Sequence, residues 1–238
     1  MPSLKTGASS ANATEPPHAQ PNTNASDETR ERIIRAAARL FSEQGYAATS
    51  VKQIAAAVKV SAPALYWHFS SKSDLLHAVI QSTLTRFLAS ARAAVAEAGT
   101  EPHDQLAAIV RMYVRIQLTE VDDVAAYSSL YAPGHLFTHL PKEAHDELRT
   151  LEAEVFNVIR LPINSGIERG VFTAPSATVA AHAIVGVIEN LPVWTRQIDS
   201  PDEDRLVRAH LEIAERIVGI ADGSTITGPP TRGASPTQ

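Results

Sequence analysis

Along most of this chain apolar residues recur three and four positions apart, the spacing that one face of a helix produces. Ile33, Ala37, Leu40 and Phe41 form a first such stripe, Val51, Ile54, Ala55 and Val58 a second, and Leu75, Leu76, Val79, Ile80, Leu84 and Phe87 a third. The same periodicity predicts further helices over about 102–121, 122–131, 142–169, 176–197 and 201–220. No segment alternates with period two for long enough to suggest a strand, so the expected fold class is all-α. The two ends are rich in Pro, Ser, Thr and Asn, bury too little to offset their ordering entropy, and are expected to be disordered tails over 1–26 and 222–238.

Helix boundaries are also written locally. Ser26 or Asp27 is placed to cap the first helix, Gly45 to end it, and Thr49 or Ser50 to cap the second. Ser71-Lys72-Ser73-Asp74 has capping-box character with Asp in place of the usual Glu. Pro162 and Pro192 fall inside helical patterns and predict kinks or breaks, since proline lacks a donor and clashes with the preceding turn.

Two short helices, roughly 50–58 and 62–69, are joined by Lys59-Val60-Ser61, which is helix-turn-helix spacing. Val51, Ile54, Ala55, Val58, Val60 and Leu65 supply their shared core, Ser61 caps the second helix, and Pro63 sits in its first turn, where a missing N–H removes no bond. The outward side then carries Ala62, Ala64, Tyr66, Trp67 and His68, flanked by Lys52 and Lys72. A tip built of Ala62, Pro63 and Ala64 is small enough to enter a major groove and offers methyl surface to thymine. Tyr66, Trp67, His68 and Lys72 carry donors for phosphate oxygens, and the helix N-termini at Ser61 and Ser71 add their dipoles. Lys52 is the best candidate for a guanine edge, with Ser50 or Tyr66 beside it. With Thr49, these eleven positions are the candidate DNA contacts.

The stretch "RIIRAAARLFSEQGYAATSVKQIAAAVKVSAPALYWHFSSKSDLLHAV" resembles the amino-terminal domain of the tetracycline-repressor (TetR) family of bacterial transcription regulators. The resemblance rests on Leu40-Phe41 before Gly45, on Thr49-Ser50-Val51 with Ile54-Ala55, and on Val60-Ser61 followed by Leu65-Tyr66-Trp67-His68-Phe69 and Lys72. It implies a helix-turn-helix DNA-binding domain over 27–87, with the motif at 50–69, and a larger helical ligand-binding and dimerisation domain over 88–221. It further implies a homodimer joined through the last two helices, a palindromic operator, and release from DNA when a small molecule enters the second domain. Lys59 departs from the family, which usually has glycine there; a left-handed turn costs a non-glycine residue about 1 kcal/mol.

For the dimer, Val179, Ala183, Val187, Leu191 and Trp194 on one helix and Leu206, Leu211, Ala214 and Val218 on the next give apolar faces, with Ala180, Ala181 and Gly186 allowing close approach. Met112, Tyr113, Ile116, Tyr127, Tyr131, Phe137, Phe156, His182, Asn190 and Trp194 are the candidate ligand contacts, with Glu189 as a further polar anchor. Stability alone has little use for so many tyrosine hydroxyls, whereas a cavity for an apolar or amphipathic molecule does. Residues 161–172, "LPINSGIERGVF", resemble the corresponding helix end in family members that sense acyl thioesters.

Charge and composition narrow the picture. The net charge of −5 is unevenly spread: residues 27–77 hold seven basic and five acidic side chains, while residues 78–238 hold 13 basic and 20 acidic. A mildly basic front end is thus joined to an acidic body. The absence of cysteine removes disulfide frameworks, thiolate metal sites and cysteine nucleophiles. The opening residues have no apolar core segment, and no apolar run approaches the roughly 18 residues of a membrane span, so a cytoplasmic location is expected. His135, His139 and His145 are spaced for a metal, but Pro133-Gly134 and Pro141 flank them, favouring a loop or pocket lining. With no Gly-rich phosphate loop and no Gly-x-Ser-x-Gly, neither an enzyme nor a cofactor is expected. The alternatives are an activator of the same family and a small-molecule binder without DNA activity.

Overall fold

The structure, a computed structural model, describes residues 23–119, 140–195 and 202–220. Its helices are α1 (Thr23–Gln44), α2 (Val51–Ala57), α3 (Ala62–His68), α4 (Lys72–Glu97), α5 (Pro102–Thr119), α6 (Lys142–Glu168), α7 (Ala177–Glu189), α8 (Leu191–Thr195) and α9 (Glu203–Val218). Among the described residues the only bridge-type pairing is an isolated one between Phe172 and Ile220. The fold is all-α.

Several boundaries differ from the sequence reading. Helix α1 starts at Thr23, upstream of Ser26 and Asp27, so neither caps it and the helix takes in the end of the segment assigned to a tail. The helix expected over 122–131 lies outside the described residues. Pro162 does not break α6: it is buried inside a helix that runs on to Glu168. Pro192 does mark a break, because α7 ends at Glu189 and Pro192 falls in the first turn of α8.

Helices α1, α2, α3 and the first half of α4 share one core, with Ile33, Phe41, Ile54, Leu65, Phe69, Leu75 and Leu76 almost fully buried. Ala144 and Leu148 of α6 belong to that same core. A second core joins α5, α6, α7 and α9 through Ile109, Val110, Ile159, Ile163, Ala181, Ile184 and Val218. Helices α4 and α6 therefore pass from one core to the other. They are stitched together on the way: His77 Nε2 lies 3.2 Å from Glu147 Oε2, the Gln81 amide donates to Glu147, and Arg92 Nη2 donates to Glu154 Oε2 at 2.9 Å.

The segment 161–172 closes α6. The backbone N–H groups of Val171 and Phe172 both donate to the Gly166 carbonyl, at 2.8 and 3.1 Å. A Cβ on Gly166 would stand 2.1 Å from the Phe172 ring, so the ring occupies the space a side chain would need. Gly166 thus has a packing reason.

Helix α7 is apolar on two sides, which sequence periodicity did not separate. Ala180, Ala181, Ile184 and Ile188 face the second core, and so do Leu191, Ala214 and Val218, all expected at the dimer face. The outward apolar positions are Val179, Val187 and Ile213 together with Ala183, Gly186 and Ala209. All but Val179 border a groove with Leu206, His182, Asn190 and His210.

Candidate nucleic-acid interface and ligand cavity

At the front end, local hydrogen bonds set both short helices. Ser50 Oγ accepts from the Gln53 N–H at 3.2 Å while Gln53 Oε1 accepts from the Ser50 N–H at 2.7 Å, a reciprocal box that starts α2. Val58 ends it, with the Val60 N–H donating to the Ala55 carbonyl at 3.0 Å across Lys59. Lys59 has φ of 59°, so the turn is left-handed despite the missing glycine. Arg32 Nη2 donates to the Val58 carbonyl at 2.7 Å and ties this turn to α1.

Ser61 Oγ accepts from the Ala64 N–H at 3.2 Å and starts α3. Leu65 and Phe69 point into the core, the latter beneath the Arg30 guanidinium, 5.2 Å from the ring centroid. A helix that commits Leu65 inward turns its neighbours outward: Tyr66 is 52% and Trp67 91% exposed. Ser71 Oγ accepts from the Asp74 N–H at 3.0 Å, but the reciprocal bond lands one residue upstream, from the Ser70 N–H to Asp74 Oδ2 at 2.8 Å. Lys72 Nζ sits 4.2 Å from the Tyr46 ring centroid and 3.4 Å from the Ala47 carbonyl. Burial there lowers the Lys72 pKa.

Behind this tip, α4, α5, α6 and α7 enclose a cavity of about 420 Å³. Its walls include Leu84, Phe87, Ile116, Phe156, Ile159 and Val185, and its polar lining includes Tyr113, Gln117, His182, Glu189, Arg86, Arg149 and Glu152. Phe87 meets Tyr113 edge-on at 4.6 Å, and Phe156 stacks on His182 at 4.3 Å. The Tyr113 hydroxyl donates to Glu189 Oε1 at 2.9 Å. Burial, then the neighbouring Glu189 carboxylate, holds the Tyr113 phenol well above its ordinary pKa. Glu189 as a residue is exposed, yet its carboxyl is turned onto Tyr113, where desolvation raises its pKa; the Tyr113 donor and His182 act in the opposite direction.

The profile of bacterial regulatory proteins of the tetR family matches residues 33–79, and that of the tetracyclin repressor-like C-terminal domain matches residues 99–218, half the chain. The chain belongs to the tetR family of bacterial regulatory proteins. This tetR-family regulator is 54% identical over 48 residues to the transcriptional regulator AcrR of Shigella flexneri, covering 20% of this chain and 22% of that one. It is 27% identical over 149 residues to the transcriptional repressor NicS of Pseudomonas putida, covering 61% of this chain and 66% of that one. Both matches span less than two thirds of the relatives' own lengths. A tetR-family protein from Rhodococcus superposes with a TM-score of 0.72 at 25% identity, covering 82% of this chain and 99% of that one.

Within the regulator, the predicted front-end residues lie on α2, α3, their caps and the start of α4, with one correction. Thr49 is 2% exposed, and its hydroxyl donates to the Gly45 and Leu40 carbonyls at 2.8 and 3.2 Å. It fastens the end of α1 and offers nothing outward. Ser50, Lys52, Ser61 and Pro63 are exposed, while Ala62, Ala64, His68 and Lys72 are half-buried.

Of the predicted ligand contacts, Tyr113, Ile116, Phe156 and His182 line the cavity. Met112 instead packs against the second core, and Asn190 caps the end of α7 on the outer groove. Tyr127, Tyr131 and Phe137 lie outside the described residues, as do His135 and His139; Trp194 lies in α8, its side chain likewise outside them. Sequence reasoning missed Gln117, Arg86, Arg149 and Glu152, which sit among surface-type residues and carry no signal of their inward reach. None of residues 161–172 lines the cavity, so that segment lends no support to an acyl-thioester ligand. Among the described residues no helix is long and apolar enough to cross a membrane.

Proposed function

We propose that this transcription regulator is a repressor that leaves a palindromic operator when an apolar or amphipathic molecule fills the cavity between α4 and α7. The observation that carries the DNA half is the split character of α3: Leu65 holds the helix in the core while Trp67 stands 91% exposed beside Tyr66. A bare indole in solvent is costly without a partner, and a helix tip of Ala62, Pro63 and Ala64 beside it suits a major groove flanked by phosphates. Ser50, Lys52, Ser61, Tyr66, Trp67, His68 and Lys72 are the contacts we assign to the duplex, with Lys72 already posed by the Tyr46 ring.

The outward patch of Val179, Val187 and Ile213, with Gly186 open to close approach, supports pairing of two copies through α7 and α9. A twofold dimer reads a twofold site. The second half of the proposal is mechanical. Helices α4 and α6 each contribute to the core beneath the tip and to the cavity wall, so a ligand that prefers one packing of the pair shifts the tip's position.

Electrophoretic mobility shift on the protein's own upstream region tests it. Trp67→Ala is expected to weaken binding about tenfold or more with the melting temperature unchanged, whereas Leu65→Ala, 1% exposed, is expected to lose about 2–4 kcal/mol of stability. Retained affinity in Trp67→Ala would remove the tip from the interface.

A further inference from the structure

The cavity's polar end is built of acceptors. Gln117 is 3% exposed, lines the cavity, and its Oε1 has no hydrogen-bond partner among the described residues. An amide can be turned either way, so the neighbour decides its orientation. The Tyr113 hydroxyl proton is committed to Glu189 Oε1 at 2.9 Å, so it does not satisfy the Gln117 carbonyl, which is left over. Glu189 has a second carboxyl oxygen beyond the one that Tyr113 occupies. A buried carbonyl without a donor is penalised until a ligand brings one.

Three basic residues share the wall. Arg86 and Arg149 are exposed and already engaged, with Glu152 on the same lining, while His182 lies against the Phe156 ring at 4.3 Å and acts on the Glu189 carboxyl.

We propose that the molecule this cavity receives is an apolar group ending in a protonated amine, whose N–H bonds are taken by Gln117 Oε1 and the Glu189 carboxylate. The inference rests on the ligand-responsive reading above and specifies its ligand class.

Calorimetric titration of the full chain with octylamine, octanol and octanoate tests it. Octylamine should bind one per chain, about tenfold tighter than octanol, with octanoate weaker still. Gln117→Leu should shrink the octylamine advantage to about threefold or less, and Gln117→Glu, which keeps an acceptor, should restore it. If Gln117→Leu fails to fold, Glu189→Gln carries the comparison and should cut octylamine binding while sparing octanol. Octanoate binding as tightly as octylamine, or an amine preference that survives both substitutions, overturns the inference and leaves the ligand-responsive reading standing. Failure of all three to bind overturns both.

Discussion

Replacing Lys59 with glycine should stabilise this regulator, and the size of the gain follows from its turn. Lys59 is the one described non-glycine residue with positive φ, at 59°, where the Val60 N–H must reach back to the Ala55 carbonyl. For an L-residue with a Cβ this conformation costs about 1–2 kcal/mol. Glycine removes that strain but brings about 0.5–1 kcal/mol of extra chain entropy to the unfolded state. The difference is a net gain of about 0.5–1 kcal/mol, read as a higher urea midpoint at unchanged slope or as about 1–4 °C in melting temperature for a chain of this size. Because pairing of chains would make stability concentration-dependent, variant and parent must be compared at equal concentration. Lys59→Ala separates strain from charge: it keeps the Cβ and should leave the midpoint where it is. A fall in stability for Lys59→Gly with no change for Lys59→Ala would refute the account of strain. On DNA the two should behave alike, since both remove the same ammonium; if Lys59 touches a phosphate, the salt slope of binding falls by about one in each.

Gly166→Ala would drive a methyl to 2.1 Å from the Phe172 ring, and should cost about 1–3 kcal/mol by thermal melting; an unchanged midpoint would mean the α6 end repacks freely. Glu189 has a raised pKa in the folded chain, so the stability from its proton is present at low pH and fades as pH rises through the folded value. Glu189→Gln, frozen in the neutral form, should therefore match the parent below the ordinary carboxyl range and exceed it once pH has risen through the folded value, a gap that urea midpoints measure; a gap independent of pH, or an inverted one, contradicts the burial of that carboxyl. Val187→Asp places a charge on the outward face of α7, and sedimentation should then report a monomer with its helical signal intact. A dimer of undiminished strength would move the interface elsewhere.

The amino-terminal half was legible in the sequence because its information is local. Ser50 with Gln53, Ser61 with Ala64, and the glycine at position 45 each act within four residues, so their spacing alone announces where helices start and stop. The inward Leu65 likewise assigns Tyr66 and Trp67 to the outside. Thr49 was misjudged for the opposite reason: whether a hydroxyl faces solvent or bonds Leu40, nine residues back, depends on how α1 returns over it. The cavity was half legible, since Tyr113 and Phe156 announce themselves as aromatics, whereas Gln117 reads as an ordinary polar position until its burial is known.

Helical periodicity, caps and the spacing of the two short helices are properties of consecutive residues, and the amino-acid sequence alone determined them. Which of the two apolar sides of α7 meets the core was decided by its packing on α5, α6 and α9, and which polar atoms converge on one cavity depended on residues as far apart as Tyr113 and Glu189. Contacts at that separation arise from packing several helices at once, so only the tertiary structure decided them.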